Sequence, residues 1–165
     1  MWLNHHPPED TLSLQERGFL ACRHSKKPKI KRKEFTATNT GQNYPIRDFI
    51  SCHTEGVVYV LQCTCNLQYV GRTKRPLMVR IKEHIKNILK GFDKHSVTRH
   101  FAEVHHKDPR HLSFWAIDKF KKPWRGAHLV RNISQKESQW IHTLHTLVPD
   151  GLNVDFDVNC FLSNF

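Results

Sequence analysis

Hydrophobic and polar positions carry little rhythm up to about residue 44 and a clear one beyond it. Residues 1–44 hold Pro7, Pro8 and Pro28 and no apolar periodicity, so they are expected to form a basic, largely irregular arm ahead of one domain at 45–160. Val57–Cys63 and Gln68–Thr73 are rich in β-branched and aromatic residues, as strands are. The turn between them decides which side chains share a face. A two-residue turn at Cys65 and Asn66 pairs Gln62 with Tyr69 and sends Tyr59 to the opposite face. A three-residue turn over 64–66 pairs Tyr59 with Gly71 and Leu61 with Tyr69, so both phenols lie together. Asn66 suits the left-handed position of such a loop, and the three-residue turn is the one expected.

The period then changes to that of a helix. "RPLMVRIKEHIKNILKG" places Pro76 at a first helical position and Gly91 at the stop. Leu77, Ile81, Ile85 and Ile88 form its buried stripe, and Arg80 and His84, four apart, stack on one flank. "HSVTRHFAEVHH" predicts a shorter helix with Val97, Phe101 and Val104 inward, and "HLSFWAID" alternates like a third strand. A last helix, over about 129–148, buries Ile133, Trp140, Ile141 and Leu144. Glu137 falls on the same stripe, so it is either an ion-paired boundary residue or a site residue facing a cavity. "PDGLN" closes a turn. The expected fold is α/β of the α+β kind: a small three-stranded antiparallel sheet flanked by helices.

Charge adds a partner. The formal net charge is +11 and the pI near 9.7, which points to a polyanion, most simply nucleic acid. The run "KKPKIKRK" at 26–33 suits either phosphate contacts or a nuclear import signal. No stretch is long and apolar enough to span a membrane, and "MWLNHHPPED" lacks the pattern of a signal peptide, so an intracellular, nuclear protein is expected. The five cysteines are then expected as reduced thiols or metal ligands.

Taken in order, these positions resemble the GIY-YIG nuclease family. Val57-Val58-Tyr59 stands where that family has its first motif, with valines in place of the glycine and isoleucine, and Tyr69-Val70-Gly71 stands where it has its second. Arg80 with His84 matches its arginine helix, Glu137 its metal-binding glutamate and Asn153 a late asparagine. More narrowly, residues 42–156 resemble the endonuclease region of Penelope-like retroelements. That region usually follows a reverse transcriptase, for which 165 residues leave no room, so a detached or truncated endonuclease segment is expected.

The resemblance implies Tyr59 as general base, its phenol lowered from an ordinary pKa near 10 by Arg80, His84 and a metal. Tyr69 would bond the phosphate or the water, and His84 would relay the proton or orient Tyr59. Asn153 would contact backbone or a water bound at Glu137, and Gly71 would allow close approach of a phosphate or the partner strand. Glu137 suits one hydrated Mg²⁺ or Mn²⁺, and the planar fork of Arg80 suits a phosphate. Cys63 and Cys65 at the turn, with His100 and His105, fit a structural zinc; His106 in place of His105, or Cys52, is also open. The rival to a DNA endonuclease is a zinc-stiffened binding module, or a remnant, without cleavage. The two readings part on whether Tyr59, Arg80 and Glu137 converge on one cleft.

Overall fold

The computed structural model describes residues 33–92, 94–120, 129–157 and 159–162. Nearly all of the basic run at 26–33 lies outside them. Two short strands come first. β1 (Glu34–Thr36) and β2 (Asn43–Pro45) pair antiparallel, so structure expected to begin near Tyr44 begins at β1. The reason is Phe35, which is buried with its ring 5.6 Å from Tyr44 and 5.7 Å from Trp140. Burying one such ring contributes roughly 1.5–3 kcal/mol, enough to hold a hairpin with three residues per strand.

The main sheet is antiparallel in the order β4–β3–β5, from β3 (Val57–Cys63), β4 (Gln68–Thr73) and β5 (Leu112–Lys119). β3 is central and buried on both faces, which explains its nearly continuous apolar run. One face sets Val57, Tyr59 and Leu61 against α1 (Leu77–Lys90) and α2 (Ser96–Val104). The other sets Val58 and Val60 against α3 (Leu129–Leu144) and Phe35 of the first hairpin. A short α4 (Asn159–Leu162) docks on α3, where Arg131 and Gln135 donate to the Cys160 carbonyl. The expected three-stranded sheet flanked by helices is therefore present, in three layers.

Details depart from expectation for local reasons. Pro76 caps α1 rather than opening it, while Gly91 ends it at φ 68° as expected. His84 takes the buried place on α1 assigned to Ile85, which is half-buried. Val104 is 50% exposed because α2 ends there; Thr98 is buried with Val97 and Phe101 instead. Trp140 is half-buried, turned so that its Nε1 donates to Asp118. α3 stops at Leu144, not Val148, since His145 turns left-handed at φ 53° and the Thr146 N–H closes on the Ile141 carbonyl. Among the described residues no helix is long and apolar enough to cross a membrane.

Candidate active site

The β3–β4 turn sets the site. The Cys63 N–H donates to the Leu67 carbonyl at 3.1 Å and the Asn66 N–H to the Cys63 carbonyl at 3.0 Å. Residues 64–66 therefore form a three-residue turn, with Asn66 left-handed at φ 70°. Tyr59 pairs with Gly71 and Leu61 with Tyr69, and both phenols lie on the α1 face. A Cβ on Gly71 would stand 2.6 Å from the Tyr59 hydroxyl and 2.8 Å from the Tyr69 ring. The glycine thus makes room for the two phenols themselves.

α1 supplies the next two groups. The Tyr59 hydroxyl lies 2.7 Å from His84 Nε2 and accepts from Arg80 Nε at 3.1 Å. A guanidinium only donates, so the phenol's own hydrogen is left for His84 Nε2, which assigns the imidazole hydrogen to Nδ1. Burial, with Tyr69 beside it, pushes the Tyr59 pKa up, and Arg80 offsets this only in part. Burial, reinforced by Arg80 and His95, pushes His84 down to about 3. The expected lowering of the phenol by a charged His84 is thereby corrected: His84 is neutral, and desolvation outweighs the one remaining cation. For Arg80 itself burial opposes the charge, yet Tyr59 and Glu83 more than compensate and the pKa is raised. Glu83 accepts from Arg80 at 3.2 Å and from Arg75 at 2.7 Å.

α3 brings Glu137 to the open edge of β4. Its side chain is 16% exposed and pairs with Arg72 Nε at 2.5 Å, so it is both ion-paired and site-facing. A cleft of about 340 Å³ is lined by Tyr69, Arg72, Arg80, His84, Glu137 and Asn153. A second hollow of about 510 Å³ shares Tyr69, Arg72, Arg80 and Glu137 and adds Lys74 and Arg75. Because β4 is an edge strand, side chains from both its faces reach this cleft. Burial raises the Glu137 pKa although Arg72 opposes it. A partly buried carboxylate on a polar cleft suits a hard, hydrated divalent cation, with Glu137 as the protein ligand.

Asn153 does not reach toward Glu137. Its Oδ1 accepts from the Val70 N–H at 2.9 Å and from the Thr146 hydroxyl at 2.8 Å, and its Nδ2 donates to the Val70 carbonyl at 2.9 Å. One side chain thus substitutes for a neighbouring strand and fixes β4 between Tyr69 and Gly71. The turn before it needs Gly151, where a Cβ would collide with the Thr146 carbonyl.

At the hairpin tip, one ligand atom each from Cys63, Cys65, His100 and His105 lies within 4.8 Å of the others. His105 Nε2 is buried without a hydrogen-bond partner, as an atom intended for a metal would be. His106 is exposed and outside the cluster; Cys52 is buried and also outside it. The expectation of reduced thiols is corrected: Cys63 and Cys65 are joined as a disulfide, and Cys52 is disulfide-bonded too. The turn leaves Cys63 and Cys65 with a Cα–Cα distance of 5.3 Å, close enough to bridge each other or to grip one ion. Cys160 is a free, buried thiol.

Arg72 and Glu83 are the site residues that sequence reasoning passes over. Strand alternation sends Arg72 to the α3 face, the face of Glu137, and Glu83 follows Arg80 at the i, i+3 spacing of a helical ion pair. The profile of the family described as the GIY-YIG catalytic domain matches residues 55–149, a span that contains Tyr59, Tyr69, Arg80, His84 and Glu137. No curated protein and no solved structure matches the chain.

Proposed function

Matched over more than half its length, the chain belongs to the GIY-YIG nuclease family, and from that premise we propose that it is a metal-dependent DNA endonuclease. The observation that carries this reading is that Tyr59, buried beneath the cleft, is hydrogen-bonded to Arg80 and His84, and these two line the same cleft as Glu137. A binding module without cleavage needs the basic surface but not this convergence.

Arg80 offers its planar fork to the scissile phosphate. As it turns, the Tyr59 oxygen regains a lone pair. It then accepts a proton from the attacking water while passing its own to His84 Nε2. The phenol never carries the full negative charge that burial disfavours, and the cost passes to His84, whose cation burial also disfavours. Tyr69 hydrogen-bonds the phosphate or holds the water, and Asn153 keeps β4 in register. Glu137 is the residue that would hold Mg²⁺ or Mn²⁺, which when bound neutralises charge on the phosphate and the departing oxygen.

The paired cysteines between the two tyrosine motifs, with histidines later, support a place among Penelope-like retroelement endonucleases. The same four residues suit zinc, which takes the sulfurs as thiolates; zinc and the disulfide are alternative states of the tip. The basic run at 26–33 would serve nuclear entry or phosphate contact. The test is purified protein with supercoiled plasmid and Mg²⁺ or Mn²⁺. Nicking that stops on chelation is expected. Folded protein that leaves the plasmid intact with both metals overturns the enzyme reading.

A further inference from the structure

The pair between Arg72 and Glu137 stands where a cation would bind. Arg72 Nε donates to Glu137 Oε2 at 2.5 Å, which occupies one carboxylate oxygen and sets a positive charge beside the other. A divalent cation approaching Glu137 meets both the blocked lone pair and the repulsion of the guanidinium.

The two arginines of the cleft are each tied to an acid, but not in the same way. Arg80 donates to Glu83, which also holds Arg75 at 2.7 Å. When Arg80 leaves for a phosphate, Glu83 keeps a partner. Glu137 has no second hydrogen-bond donor among the described residues. If Arg72 leaves, a carboxylate only 16% exposed stands unpaired, which is costly unless another cation replaces the guanidinium. Arg72 has somewhere to go: it is 30% exposed and lines both hollows beside Arg80, where a phosphate held by Arg80 would sit.

We infer that Arg72 is a positioning residue that holds the Glu137 carboxylate until a substrate phosphate draws the guanidinium away, so that metal and nucleic acid bind jointly rather than independently. This rests on the nuclease reading above. The free protein is then a weak binder of metal at Glu137 by construction, and each ligand raises the affinity for the other by the same factor. Arg72 acts through Glu137 and through the phosphate; Tyr59 and His84 are untouched by the exchange.

Mn²⁺ titration followed by electron paramagnetic resonance tests this on the full chain, with the Glu137→Ala variant as background and thermal melts as a check of folding. The titration is run with and without a short duplex carrying phosphorothioate linkages. The parent should bind Mn²⁺ at Glu137 about tenfold or more tightly with the duplex than without it, within the range common for coupled sites. Arg72→Gln should bind Mn²⁺ about tenfold more tightly than the parent without duplex and gain little when duplex is added. Arg72→Lys, which keeps the charge, should behave like the parent. Equal Mn²⁺ affinity in parent and Arg72→Gln, or no effect of duplex on the parent, overturns the inference and leaves the nuclease reading standing. Mn²⁺ binding in Glu137→Ala equal to the parent's would instead remove the metal role of Glu137, and both readings with it.

Discussion

At its middle the β3–β4 hairpin presents Tyr59 and Tyr69 to groups from α1 and α3; at its tip it presents Cys63 and Cys65 to α2 and the residue after it. The middle assembles hard groups that remain charged or polar because each has a partner: Arg80 with Glu83, Arg72 with Glu137, Tyr59 with His84. The tip assembles soft donors, with His105 Nε2 buried and unpaired. The difference separates two jobs within one hairpin. The tip fixes the turn, the turn fixes the register, and the register puts both phenols on one face. The tip can therefore affect the chemistry while contributing no atom to it.

The comparison breaks first at Tyr59. Tyr59→Phe keeps the ring and removes the oxygen that links Arg80 to His84. Single-turnover cleavage should fall by about 10²–10⁴, the usual worth of a general base, while the zinc content of the tip does not change. A variant that cuts like the parent would remove the phenol from the mechanism. At the other end, Cys63→Ser should lower the melting temperature, by about 2–4 °C for each kcal/mol lost in a chain of this length. Elemental analysis of protein purified with reductant and without chelator should show one zinc per parent chain and less in the variant. Activity should fall only as far as folding does.

A smaller effect concerns acid. His84 has its folded pKa depressed to about 3 from 6.5. A depressed value means that its contribution is complete above pH 6.5 and is lost as pH falls toward 3. Stability from urea melts should therefore decline by up to about 1.4 kcal/mol per pH unit over that window because of this group. His84→Gln should reduce the slope; an unchanged slope would mean that His84 is not buried neutral. The smallest effect is expected from removing residues 1–32, which spares β1. DNA binding should weaken, and its dependence on salt should become shallower by about 0.9 for each phosphate that the arm no longer neutralises, with the rate at saturating DNA unchanged. An identical salt slope would exclude the arm from the interface.

Much of the hairpin was legible in the sequence because its period and its turn agree: a three-residue loop, unlike a two-residue one, puts both phenols on one face, and Asn66 tolerates the φ such a loop needs. Helix faces were less so. His84 and Ile85 are adjacent, and an apolar count favours isoleucine, but a hydrogen bond to a buried phenol lets the histidine take the inner place. Strands β1 and β2 are three residues each, too short to show a period, and tertiary contacts hold them: Phe35 and Tyr44 pack on Trp140, and Gln68 donates to the Thr36 carbonyl. A backbone contact was one of the two roles expected of Asn153, but its partner was hidden, because the clamp depends on Val70 lying on an unpaired edge. Neither charge nor spacing announces that Arg72, one of many basic residues, meets Glu137 from 65 positions away.

The central claim is that Glu137 serves cleavage and, without metal, adds nothing to affinity. Nicking of supercoiled plasmid and equilibrium DNA binding, measured side by side on the parent and Glu137→Ala, test it most directly. Nicking should disappear from the variant while DNA binding, measured without divalent metal, is unchanged or slightly tighter, because a negative charge has left a basic cleft. Plasmid nicked by the folded variant at the parental rate would contradict it.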